Sequence, residues 1–115
     1  MASSGQDVAA LFTQYGRVLR LVFTDALHQH LAQRGIHRKH RVLTAEIIQV
    51  HMGRPRFFLN TSTVGRAPII MVGPTAAGRF LVVPLVPTNR QGDWEPVTAY
   101  EANRHHLARY HGRQQ

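Results

Sequence analysis

The segment "RFLVVPLV", residues 79 to 86, constrains the fold more than any other part of the chain. In a strand its apolar residues leave no polar face: Phe80, Val82 and Val86 point one way, and Leu81, Val83 and Leu85 the other. A strand apolar on both faces belongs in the middle of a sheet that is covered on both sides. Pro84 interrupts it. Proline has no backbone N–H to give to a ladder, so a bulge or an unpaired partner is expected at that point.

Three more segments have strand composition: "RFFLN" at 56 to 60, "PIIMVG" at 68 to 73 and "EPVTAY" at 95 to 100. The turn-rich pieces "GPTAAG" and "PTNRQGD" separate them, and an antiparallel meander is the economical arrangement. Helical spacing dominates before residue 56. Val8, Leu11, Phe12 and Tyr15 follow Asp7, a capping residue, and Gly16 ends the run. Thr24 and Asp25 open a second helix, whose apolar Ala26, Leu27 and Leu31 run to Arg34, with Gly35 suited to the left-handed position after it. In "RKHRVLTAEIIQVHMGRP", Thr44 is the expected N-cap, Leu43 and Ile48 the hydrophobic staple, Glu46 a match for the helix dipole, and Gly53 with Pro55 the stop. "RVLRLVF" at 17 to 23 satisfies helix and strand templates alike, with an extended segment preferred. A last helix is expected from about Glu101, with Ala102, His106 and Tyr110 on one stripe and His105 and Arg109 on another. The expected fold is therefore α+β: N-terminal helices, a four-stranded antiparallel sheet and a C-terminal helix. A chain of 115 residues supports one core, so a single domain is expected over 7–112 after a loose leader at 1–6.

Charge narrows the partner class. Fourteen Lys and Arg against six Asp and Glu give a net charge of +8 and a pI near 11.5. Such a field attracts polyanions, nucleic acid first and an acidic protein second. All but Lys39 of the basic residues are Arg, which suits bidentate phosphate contacts and equally follows from codon bias. No segment approaches the ~18 apolar residues of a spanning helix, so no membrane partner is expected. The chain has no cysteine, which excludes disulfides and thiol catalysis. "MASSGQD" has no basic stretch followed by an apolar one, and a cytoplasmic location is expected.

Three stretches carry a family likeness: "RGI" at 34 to 36 closing a helix, "GRFLVV" at 78 to 83 after a Gly-rich hairpin, and Thr98-Ala99, Ala102 and Tyr110 on the final strand-to-helix unit. From about Phe23 to Tyr110 the chain resembles the BrnT toxins, whose fold is RelE-like. Relatives typically read Ser-Ala-Arg, then an Ala, a Glu and a Tyr. Here Thr98 and Ala99 fit, Tyr100 stands in the place of the Arg, and His106 stands near the place of the Glu. Ala26 occupies roughly the place of a family His, with His28 and His30 one turn away. The resemblance implies a type II toxin that cuts mRNA, with cleavage on the ribosome as one version, and that is held inactive by a cognate antitoxin, acidic where it makes contact.

Metal-independent RNA cleavage needs a base, an acid and a fixed cation for the phosphorane. The candidate catalytic groups are Arg79 as phosphate clamp, His51 with His105 or His106 as acid and base, and Tyr100 as phosphate donor or stacking group. The candidate RNA-binding residues are Arg104, Arg109 and Tyr110, with Arg34, Arg38, Lys39 and Arg41 from the cationic run "RGIHRKHR". Each has a structural alternative: a solvated strand edge for Arg79, a packed helix histidine for His106, a core anchor for Tyr110, and plain solvated charge for the run. Eight histidines invite a metal site, but i and i+2 on a helix diverge and no supporting carboxylates share their spacing, so neither metal nor cofactor is expected. A ribonuclease toxin is the leading expectation. A noncatalytic basic module for RNA, DNA or protein on the same scaffold is the alternative, and an unrelated enzyme or interaction protein is a third.

Overall fold

The computed structural model describes residues 7–34, 41–61 and 66–112, with the side chains of Gln33 and Arg34 outside that description. In chain order the elements are α1 (Val8–Tyr15), β1 (Arg20–Leu21), α2 (Asp25–Arg34), α3 (Thr44–Met52), β2 (Arg56–Leu59), β3 (Ile69–Pro74), β4 (Phe80–Pro87), β5 (Asp93–Pro96), β6 (Tyr100–Glu101) and α4 (Arg104–His111). The α+β class agrees with the sequence reading. The sheet does not: among the described residues it has six strands in the order β1-β5-β4-β3-β2, with β6 also on β4, and it is mixed rather than antiparallel. The ambiguous 17 to 23 segment supplies β1, which runs parallel to β5 through Arg20↔Asp93 and Leu21↔Trp94. That pairing joins residues more than seventy positions apart, and no local pattern encodes it.

The fourth expected strand is split in two, and Pro84 gives the reason. β4 pairs with β5 at Leu85 to Pro87 and with β6 at Leu81 and Val82. Between these pairings lie Val97 to Ala99, which are not strand. The Pro84 carbonyl faces them and accepts from the Val97 N–H at 2.9 Å. Carbonyl and amide of one residue point to the same neighbouring strand in an antiparallel ladder, so the missing Pro84 N–H falls at this break. On its other side Pro84 stays in register with Ile70. The expected irregularity is real, and it opens the sheet toward the chain's final elements.

As its sequence requires, β4 is central and buried on both faces. Leu81, Val83 and Leu85 join a cluster with Leu11, Leu27, Ile47, Val50 and Trp94, so α1, α2 and α3 cover that face. Ile70, Val72 and Val82 form the opposite cluster, against Phe58, Tyr100, Ala102 and Tyr110, and among the described residues α4 is the one helix packed there. Trp94, fully buried, stands edge-on to Phe12 and Tyr15 and donates from Nε1 to the Gly16 carbonyl at 3.0 Å. Gly16 has φ of 85° and lies so near Gly92 that a Cβ would come within 2.5 Å of the Gly92 nitrogen. Only glycine fits that crossing.

The helix starts follow the sequence with two corrections. Asp7 Oδ1 accepts from the Ala10 N–H at 2.7 Å, and Thr24 Oγ accepts from the Leu27 N–H at 3.1 Å. Thr44, however, is already helical, and Leu43 takes the cap position without an acceptor of its own. Only Glu46 closes that end, accepting from the Leu43 N–H at 3.0 Å. The staple moves back one residue, to Val42 and Ile47, which are buried where Leu43 and Ile48 are exposed. α4 begins at Arg104, later than expected, because Asn103 caps it and Tyr100 and Glu101 are held in the sheet.

Candidate functional site

The break at Val97–Ala99 forms the edge of a cavity of about 520 Å³. Pro84, Pro96, Ala67 and Leu27 give it apolar walls, and its polar groups are Thr24 just before α2 and His30 in its middle, Thr98 and Tyr100 from the break and β6, Glu95 from β5, and Asn60 and Arg66 from the β2–β3 connection. His30 Nε2 lies 2.9 Å from Thr98 Oγ, so the hydroxyl fixes the ring that faces the cavity. Tyr100 stands beside Val82 and Glu95 beside Val86 on the same face of β4. Four residues of strand put them roughly 13 Å apart along β4. A phenol thus sits toward one end of the hollow and a carboxylate toward the other, with the imidazole at the break between them.

The catalytic residues expected from sequence do not assemble there as a set. Arg79 donates from Nε to Glu101 at 2.9 Å, and from Nη1 to Glu46 at 3.0 Å and to the Arg41 carbonyl at 2.8 Å. Its side chain is 23% exposed. Two carboxylates already neutralise the guanidinium, and a phosphate would have to displace both, so Arg79 is a clamp joining β4, α3 and β6. His51 is held through Nε2 at 2.9 Å from the Val18 carbonyl, on the face covered by α1 to α3. His105 and His106 belong to α4 on the other face. The sheet therefore separates the imidazoles that were expected to act as acid and base, and that pairing is corrected.

His106 has a structural task. Its Nδ1 accepts from the Asn103 N–H at 3.1 Å while Asn103 Oδ1 accepts from the His106 N–H at 3.0 Å, a reciprocal cap for α4. Burial lowers its pKa from the usual histidine value, and the charges of Arg109 and His105 lower it further. Its ring packs 6.1 Å from that of Tyr100. Tyr110 is a core anchor whose hydroxyl donates to the Arg54 carbonyl at 2.6 Å, while Arg56 donates to the Tyr110 carbonyl. Arg109 lies 4.5 Å over the Phe58 ring, with Arg56 at 5.5 Å, and Arg104 is exposed at the helix start. This patch is a cationic and aromatic surface on the α4 face. Arg41 is exposed at the approach to α3. Arg38 and Lys39 lie outside the described residues, as does the side chain of Arg34.

Of the catalytic candidates, Tyr100 alone lines the cavity, and His30, Arg66 and Glu95 join it there without having been singled out. For His30 a signal existed: it lies one turn after Ala26, where the family likeness places a histidine, and it meets Thr98, itself part of that likeness. Arg66 and Glu95 carry no local signal. Among the described residues no group of three His, Asp or Glu is placed to hold a metal ion, and no helix is long and apolar enough to cross a membrane. Compared with models of known families, with curated proteins and with solved structures, the chain matches none.

Proposed function

We propose that the chain is a BrnT-like toxin of the RelE-like class, a metal-independent endoribonuclease whose reacting groups are His30 and Tyr100 in place of the Arg79 and His51 set. One observation carries this reading: in a protein of net charge +8, an imidazole and a phenol line the hollow that Pro84 opens in the sheet. In cleavage at a ribose phosphate, His30, its ring fixed by Thr98, takes the proton of the 2′-hydroxyl as that oxygen attacks phosphorus, and Tyr100 gives its phenol proton to the 5′-oxygen as the P–O5′ bond breaks. Arg104 and Arg109 bind the flanking strand electrostatically, and Phe58 and Tyr110 give the same face aromatic surface. The same positive field suits an acidic antitoxin as inhibitory partner. A cytoplasmic location and mRNA as substrate, free or on the ribosome, belong to this proposal.

The noncatalytic RNA-binding module is the second reading, favoured by the engagement of Arg79 with two carboxylates and by the separation of His51 from α4. Incubation of the purified protein with short RNAs in the presence of a chelator separates the two. The expected result is products ending in 2′,3′-cyclic phosphate, formed at least tenfold more slowly by His30→Ala and by Tyr100→Phe, with the circular dichroism of both variants unchanged. Replacing Arg104 and Arg109 together by Ala should weaken RNA binding and lower the salt slope by about two. Salt-dependent binding without cleavage overturns the enzyme in favour of the module. Growth arrest on expression, relieved by the product of the adjacent gene, tests the toxin pairing.

A further inference from the structure

We propose that Glu95 and Arg66 form a guanine-reading site at the end of the cavity away from Tyr100. This inference rests on the RNA-cleaving function proposed above and makes it selective for a guanine nucleotide.

Glu95 is half-buried on β5, on the open face of the sheet beside Val86. Arg66 reaches the same region from the β2–β3 connection, and the two residues together line both the main cavity and an adjoining hollow of about 460 Å³. Four of the other five carboxylates are committed: Asp7 caps α1, Asp93 pairs with Arg20, and Glu46 and Glu101 hold Arg79, while Asp25 is exposed to solvent in the first turn of α2. Among the described residues, the side chain of neither Glu95 nor Arg66 makes a hydrogen bond or an ion pair. A half-buried carboxylate without a donor is costly, and it favours a ligand that brings donors.

The nucleobases differ in what they offer such a pair. Guanine presents N1–H and N2–H side by side to a carboxylate, and O6 with N7 to a guanidinium. Adenine turns the acceptor N1 toward the carboxylate. Cytosine brings a single exocyclic donor beside an acceptor, and uracil sets its one N–H between two carbonyls. Only guanine satisfies both side chains along two bidentate edges. Pro84, Pro96 and Ala67 supply flat apolar walls for its ring. With the base at Glu95, the sugar and phosphate run toward His30 at the break.

Calorimetric titration of the full chain with GMP, AMP, CMP and UMP at low salt tests the site without requiring cleavage. GMP should bind at least tenfold more tightly than the other three, and IMP, which lacks the N2 amine, several-fold more weakly than GMP. In Glu95→Gln, which keeps the side chain's size, the GMP preference should fall to within twofold while AMP affinity does not drop. The IMP comparison needs no variant and holds even if a substitution disturbs folding. Equal affinity for all four nucleotides, no nucleotide binding, or a preference that survives Glu95→Gln overturns the proposal. Guanine preference without RNA cleavage leaves this site standing and removes the catalytic reading. Cleavage that shows no guanine preference does the reverse.

Discussion

Among the described residues, three helices close one face of the sheet, while one eight-residue helix, α4, covers part of the other. On the closed face the buried positions come from nearly every element, and Trp94 ties α1 to β5 through ring contacts and a hydrogen bond. On the open face the apolar cluster is small, and beyond it the sheet presents Pro84, Glu95 and Tyr100 to the cavity. Stability is concentrated on one side, while the cavity opens on the other, with Leu27 and His30 of α2 at its wall. A residue's face therefore predicts what its loss will do.

The most severe test of this division is Trp94→Ala. Truncating a fully buried aromatic costs about 3–5 kcal/mol, a large part of the ~5–15 kcal/mol that holds a domain together. Denaturant melts should show a largely unfolded chain, whereas Val86→Ala on the open face, half-buried, should cost about 1 kcal/mol. Equal losses would break the comparison. Arg79→Ala ranks next. It leaves Glu46 and Glu101 facing each other, and because all three groups are partly exposed the cost is about 1–2 kcal/mol. Arg79→Lys should recover part of it, since an ammonium cannot reproduce the three-way fork. A loss of RNA affinity larger than removal of one surface charge explains would return Arg79 to the phosphate.

The smallest effect is pH-dependent and sits on the open face. His106 titrates below its ordinary 6.5 in the folded chain, first through burial and then through Arg109 and His105. Just below that value the unfolded chain binds more protons than the folded one, so His106 contributes fully above 6.5 and loses its contribution as the pH falls toward its folded pKa. His106→Gln keeps an acceptor at the same cap position that does not titrate. Between about pH 7.5 and about pH 5.5, the wild-type melting temperature should fall further than that of the variant. Parallel curves would show that the cap does not couple to protonation.

Local patterns encoded most of the helices and the central strand. The two-sided apolar run placed β4, Asp7 and Thr24 announced their caps, and Pro84 announced the break. Long-range partners were illegible. β1 was an ambiguous heptad until Asp93 and Trp94 gave it a neighbour, and Arg79 read as a phosphate ligand because its carboxylates lie 22 and 33 residues away. Of the described histidines, most serve structural contacts, some local and some distant: His28 to the Thr24 carbonyl, His51 to the Val18 carbonyl, His106 to its own cap, and His111 against Phe80. The cavity was hidden because its residues come from α2, the β2–β3 connection, β5 and β6, which no short window contains.

The crossing of Gly16 and Gly92 sets a timetable for biosynthesis. The Trp94 indole that receives the first helix lies 78 residues beyond the Gly16 carbonyl it bonds. At ~5–20 residues per second a ribosome needs roughly 4–16 s to deliver that seat after the helix has emerged. Until then the apolar stripe of Leu11 and Phe12 can meet Phe57 of β2 but not the indole that completes its seat, so the final collapse waits for the last third of the message.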